Sequence, residues 1–329
     1  MKKSENSHLT VIYSIRGIGA LAVCLYHFTV FPGMVSSSTL LSIFHFAQKA
    51  VHVFFILSGV VVPLSMINSN YKLSKIGKYL WRRIVRLEIP FLVSLLMGFA
   101  FLHLKQLDLF SFAENPTPGG RDLLLNVSYL VPFFPDGRWI NPVFWTLSIE
   151  FQFYLVIALT LPLALSKNLL LRMCFIALLL STNFLIPYHT FFFGWAAFIG
   201  LGVVYALYRT KKWNTSESVI AAVLLSTTIL FHQNFLDLII AIFTLGLVHF
   251  WPYFKNPIGQ FFGKISYSLY LIHSIVGVGF LQFTADKVSS PTGKFMLILA
   301  ALILSLVAAY ALWKWVENPS KKAARKIKL

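Results

Sequence analysis

Apolar stretches of about twenty residues, parted by short polar breaks, run the length of the chain, as expected of helices that cross a bilayer. The pattern predicts about ten spans, at 9–31, 42–67, 84–104, 142–165, 169–186, 190–208, 218–231, 235–253, 261–283 and 295–316. Only His232, Gln233 and Asn234 part the seventh span from the eighth. A long polar loop, 105–141, rich in Pro and Gly (Asn115, Pro116, Thr117, Pro118, Gly119, Gly120), separates the third from the fourth. The short alternating segments of a transmembrane barrel are not seen. The expected fold is therefore all-α, a polytopic transmembrane helical bundle. It is read as a single integral membrane domain over 1–329, with no fused soluble domain and no internal repeat of the transporter kind.

Composition agrees. Of 329 residues, 57% are hydrophobic and 12% charged, with a mean hydropathy of +0.74. A soluble domain carries about 25% charged residues. The net charge of +17 would suggest nucleic acid in a soluble protein. Here it follows the spans: roughly 22 of the 28 Lys and Arg fall on the side of the termini and about 6 on the other. That bias places both termini in the cytoplasm, in contact with membrane lipid, and accounts for most of the charge without nucleic acid, leaving a smaller part for an anionic cofactor. Cys24 and Cys174 lie in apolar stretches and imply neither a disulfide framework nor a zinc site. The first stretch follows a short polar segment without a cleavage signal and reads as a retained helix.

Ionisable side chains inside a membrane are costly and mark function. Arg16 and His27 share the first helix; eleven residues make about three turns, so they share a face, about 16 Å apart along the axis. Gly17, Gly19 and Ala20 keep part of that helix slim for a close neighbour. Glu150 and His52 come in from the outer side at the depth His27 reaches, and an imidazole beside a carboxylate makes a base with its orienter. His273 comes out nearer mid-membrane. These histidines lack the short spacing within one helix that a metal site shows, so no metal is expected. Arg83 and Arg86 share a helical face if the helix begins before them, and paired guanidiniums at the cytoplasmic mouth suit phosphate. Glu88 is placed to pair with one of them, and Pro90 to bend the start of the helix.

Five segments resemble, in order, the signatures of the membrane acyltransferase-3 family, which includes bacterial polysaccharide O-acetyltransferases. They are Ser14-Ile15-Arg16-Gly17-Ile18-Gly19-Ala20 with His27; Val53-Phe54-Phe55-Ile56-Leu57-Ser58-Gly59; Arg82-Arg83-Ile84-Val85-Arg86 with Pro90; Trp145-Thr146-Leu147-Ser148-Ile149-Glu150; and Ser266-Tyr267-Ser268-Leu269-Tyr270-Leu271-Ile272-His273. Ala50, Val51 and His52 stand where the family often has Gly-x-Asp, and Thr146 where Ser is usual.

The resemblance implies transfer of an acyl group, most often acetyl, from cytoplasmic acyl-CoA to a sugar hydroxyl, and importance for Arg16, His27 and the arginine pair. On that basis His27 is expected as general base with Glu150 as its orienter, and Arg16, Arg83 and Arg86 as the acyl-CoA site. Trp145, Tyr154, His52 and His273 are expected to contact the acceptor, a polysaccharide or lipid-linked oligosaccharide. The expected location is the bacterial inner membrane. The competing reading is a proton-coupled transporter or flippase of polysaccharide assembly, for which buried Arg, His and Glu would also serve. Oligomeric state has no signature in the sequence.

Overall fold

The computed structural model describes residues 9–104, 117–185 and 191–327. The polar start 1–8, loop residues 105–116, the stretch 186–190 and residues 328–329 lie outside them. With them go Lys2, Lys3, Lys105 and Lys328 of the charge count, and Asn115 and Pro116 of the loop. Among the described residues the secondary structure is helical and no strand occurs.

In chain order the helices are α1 (Val11–Thr29), α2 (Ser38–Ala47), α3 (Ala50–Asn68), α4 (Ile76–Leu104), α5 (Gly120–Val127), α6 (Trp145–Ala164) and α7 (Leu169–Leu185). Then come α8 (Ala196–Arg209), α9 (Thr215–His232), α10 (Phe235–Phe250), α11 (Pro257–His273), α12 (Gly279–Thr284), α13 (Pro291–Leu312) and α14 (Asn318–Lys326). A π-turn, Ser274–Val278, joins α11 to α12, and another, Trp313–Glu317, joins α13 to α14. Among the described residues, eight helical stretches are long and apolar enough to cross a membrane; the helices at Leu169–Leu180 and Phe235–Phe250 are apolar but shorter. The chain is an integral membrane protein.

Caps explain where several helices begin. Asn214 accepts the Glu217 amide while Glu217 reaches back to the Asn214 amide, a reciprocal cap on α9. Asn234 accepts the amide of Asp237 and starts α10, so the thin polar break after α9 is a true turn. Asn256 caps α11 and Pro257 takes its first position, four residues before the predicted start at 261. The predicted second span divides into α2 and α3 at Gln48 and Lys49. The Lys49 ammonium there leaves the helix face for the buried Asp237 carboxylate, 2.8 Å away. The predicted third span began at 84; α4 begins at Ile76, because its first turns carry Lys78, Arg82 and Arg83, which an apolar window passes over.

Two helix pairs set the architecture, and both dock through glycine. On α1 and α11, a methyl group added to Gly263 would strike the Tyr13 carbonyl, one on Gly17 the Gly263 amide at 2.8 Å, and one on Gly259 the Ser14 hydroxyl at 2.5 Å. From Thr10 with Gln260, through Gly17 with Gly263, to His27 with His273, the partners climb together, so α1 and α11 run parallel. On α3 and α8, Gly59 faces the Ile199 carbonyl and Gly202 the Ile56 carbonyl, in antiparallel order. Without a hydrophobic drive between helices in lipid, backbone approach of this kind supplies the packing.

Part of the predicted polar loop is folded. Asp122 accepts the Gly119 amide and caps α5, and it pairs with Arg138 at 3.1 Å. Asn126 ties the loop to the Arg138 carbonyl and the Ile140 amide at 2.8 and 3.2 Å. The segment ends by driving Tyr129 between Phe91 and Phe151, stacked 5.0 Å from each. Outside the membrane segments, the Arg121 guanidinium holds Asp136 down to about 2.

Candidate active site

A cleft with an open mouth lies between α1, α3, α4, α6 and α11. Arg16 comes from α1, Ser58 from α3, Arg83 and Arg86 from α4, Thr146, Glu150 and Tyr154 from α6, and Tyr267 and Tyr270 from α11. Because α4 starts at Ile76, Arg83 and Arg86 are both helical and both face the cleft.

The Arg83 guanidinium lies over two rings, 5.4 Å from the centre of Tyr79 and 5.1 Å from that of Tyr154. Cation–π contact on two rings holds the guanidinium in place. Among the described residues no carboxylate lies within 4.0 Å of Arg16, Arg83 or Arg86. Glu150 shares the cleft and is held by the Tyr154 hydroxyl and, at 3.4 Å, by the Ser58 hydroxyl. Three guanidiniums against one carboxylate leave a cleft that attracts anions. Its walls are fixed by further bonds: Tyr267 donates to the Leu87 carbonyl at 2.9 Å, and Tyr270 shares a 2.7 Å bond with Thr146. Ser320 of α14 donates to the Arg86 carbonyl at 2.9 Å, tying the C-terminal helix to the arginine helix.

His27 stands beyond the Tyr270 end of the cleft. Its ring meets His273, with Nδ1 of His27 3.0 Å from Nε2 of His273. His273 is fully buried, and its ring centre lies 6.0 Å from that of Tyr270. The two histidines are therefore level, which corrects the different heights expected for them; the early start of α11 carries His273 up to His27.

Glu150 is not the partner of the His27 ring. Tyr270 and Thr146 are bonded, so they share a level. His273 lies three residues beyond the first and Glu150 four residues the opposite way from the second. Seven residues at 1.5 Å put the carboxylate and the imidazole pair roughly 10 Å apart along the bundle. The apolar boundaries alone predict one depth for both groups; the registers of α6 and α11 separate them.

Other expected residues also fall elsewhere. His52 turns from the cleft toward Asp237, 3.5 Å away, and packs against Trp195 and Phe198. Its neighbours Val51 and Phe55 line the cleft instead. Trp145 joins the same aromatic group, 5.6 Å from Trp195. The Tyr154 ring is covered by Arg83. Glu88 binds the Tyr129 hydroxyl at 2.9 Å rather than an arginine. Tyr267, Tyr270, Thr146 and Ser58 were not anticipated as wall residues. The i, i+1, i+4 spacing of Ser266, Tyr267 and Tyr270 held that signal.

The fold and cleft define a membrane protein whose helical bundle encloses a cationic pocket beside a pair of histidines. Over residues 12–314 the chain matches the profile of the acyltransferase-3 family, described as an acyltransferase domain. It belongs to that family and is a membrane acyltransferase. No curated protein and no solved structure matches it.

Proposed function

We propose that this acyltransferase moves an acyl group, most often acetyl, from cytoplasmic acyl-CoA to a hydroxyl of a cell-surface or secreted carbohydrate. The observation that supports this reading is the set of three guanidiniums in one cleft with, among the described residues, no carboxylate at ion-pair distance. Such a site suits the phosphates of a nucleotide-bearing thioester, with Arg83 and Arg86 as forks and Arg16 next along the path. Glu150, beside Arg83, acts as its counter-charge and anchors Tyr154 beneath it.

The acyl end of the donor extends past Tyr270 to His27, which acts as general base. His27 takes the proton of the acceptor hydroxyl as its oxygen attacks the thioester carbon. The carbon–sulfur bond breaks, and the departing thiolate takes that proton back. This topology uses ten spans, counting α7 and α10, with both termini on the donor side in a bacterial cytoplasmic membrane. The acceptor reaches His27 from the other side.

Purified protein with radiolabelled acetyl-CoA and a carbohydrate acceptor tests the reading. Replacing His27 with Ala is expected to lower transfer by about 10²- to 10⁴-fold, the range for loss of a general base. Full transfer by that variant would refute the base role. Mass spectrometry of surface glycans, with and without the protein, identifies acceptor and acyl group as one mass increment.

A further inference from the structure

The hydrogen-bond partners of the two histidines fix where each ring carries its proton. His273 places Nδ1 3.1 Å from the Leu269 carbonyl and 2.9 Å from the Tyr270 carbonyl. Carbonyls only accept, so Nδ1 of His273 carries its proton, and in the neutral ring Nε2 is then a lone pair. That lone pair lies 3.0 Å from Nδ1 of His27. The bond between the rings requires a proton on His27 Nδ1, which Val23's carbonyl also approaches at 3.1 Å. Neutral His27 is therefore left with a lone pair on Nε2, the form a base must have. The Ser274 hydroxyl, 3.5 Å from His273 Nε2, is the other polar group at this contact.

Three features of the fold hold this contact. His27 lies ten residues after Gly17 on α1, and His273 ten residues after Gly263 on α11. The glycine docking thus brings the imidazoles level about 15 Å further along two parallel helices. His273 is the last residue of α11, directly before the π-turn, and π-turns recur at functional sites. Gly277 in that turn leaves room for the Phe28 ring, whose centre lies 6.3 Å from that of His273.

We infer that His273 is a positioning residue: its Nε2 accepts from His27 Nδ1, sets the tautomer that frees His27 Nε2 as the base, and stabilises the imidazolium formed on attack. It fills the place that a carboxylate takes in a serine-type triad, with a neutral imidazole as the acceptor. The inference rests on the general-base reading of His27 given above.

Two variants separate this role from mere filling of space. Gln at 273 keeps an acceptor near the position of Nε2, whereas Phe fills the volume and offers none. With both proteins folded in detergent, His273→Gln is expected to keep a kcat at least about tenfold above that of His273→Phe, with KM for acyl-CoA unchanged in either. A purely structural histidine gives the reverse order or equal rates, and either result overturns the inference. ¹⁵N spectra of histidine-labelled wild-type protein give a second readout, independent of folding in the variants. They are expected to show His27 protonated at Nδ1, and protonation at Nε2 instead would overturn the assignment. The His27→Ala variant run alongside separates the two claims: if it transfers normally the base reading falls, whereas if it is inactive while His273→Phe matches wild type, only the present inference falls.

Discussion

Arg83 shows how one side chain is made fit for a ligand by groups that do not touch the ligand. The Tyr79 and Tyr154 rings flank it, Glu150 holds Tyr154, and Ser58 holds Glu150. Loss of the carboxylate loosens the guanidinium rather than the base. Replacing Glu150 with Ala is therefore expected to raise KM for acyl-CoA about 3- to 10-fold while kcat changes less, since it removes ground-state binding. Steady-state kinetics that instead show a fall in kcat at constant KM would return Glu150 to the chemistry. The arginine pair, Arg16 and His27 were legible in the sequence because charges and imidazoles stand out in apolar text. The partners were not. Pairing His27 with Glu150 needed the registers of α6 and α11, and an error of a turn in a predicted boundary moves a side chain by about 5 Å. His52 was misplaced for a different reason. Its depth said nothing about which way it faces, and Asp237, its neighbour, lies on a helix far along the chain.

At the level of elements, the glycine contacts carry the site. A side-chain methyl at Gly263 meets the Tyr13 backbone, which cannot swing aside as a flexible chain would. Gly263→Ala is expected to destabilise the bundle by about 1–3 kcal/mol, the usual cost of overpacking, and to part His27 from His273. Thermal unfolding in detergent would show a lower Tm together with lower kcat; an unchanged Tm and rate would deny the tight docking. The turn between α9 and α10 offers a milder case. Asn234→Ala removes the acceptor for the Asp237 amide and should cost about 1 kcal/mol, visible as a small fall in Tm with transfer retained. The long apolar helices were legible from apolar stretches, but the break between α2 and α3 was not. The fold of 117–141 was not, because Tyr129 reaches its place between Phe91 and Phe151 from a polar segment and adopts a φ of +56°, a left-handed conformation seldom taken by such a residue.

For the whole molecule, charge and architecture make one statement. Arg16, Arg83 and Arg86 arrive from two helices far apart in sequence and converge in one cleft. Tyr270 stands between that cleft and the histidines. A donor held by its phosphates at one end and presented to an imidazole at the other accounts for this order of groups. Orientation is open to direct test: single cysteines placed at Lys212 and at Arg121 should react with a membrane-impermeant reagent from opposite sides of the bilayer. Labelling of both from the same side would contradict the topology. The central claim is tested most directly by equilibrium binding of acetyl-CoA to the purified protein and to an Arg83→Ala, Arg86→Ala double variant. Each lost charge-assisted phosphate contact is worth about 1.5–3 kcal/mol, so the variant should bind at least about tenfold more weakly. Equal affinity in the two proteins would contradict the account.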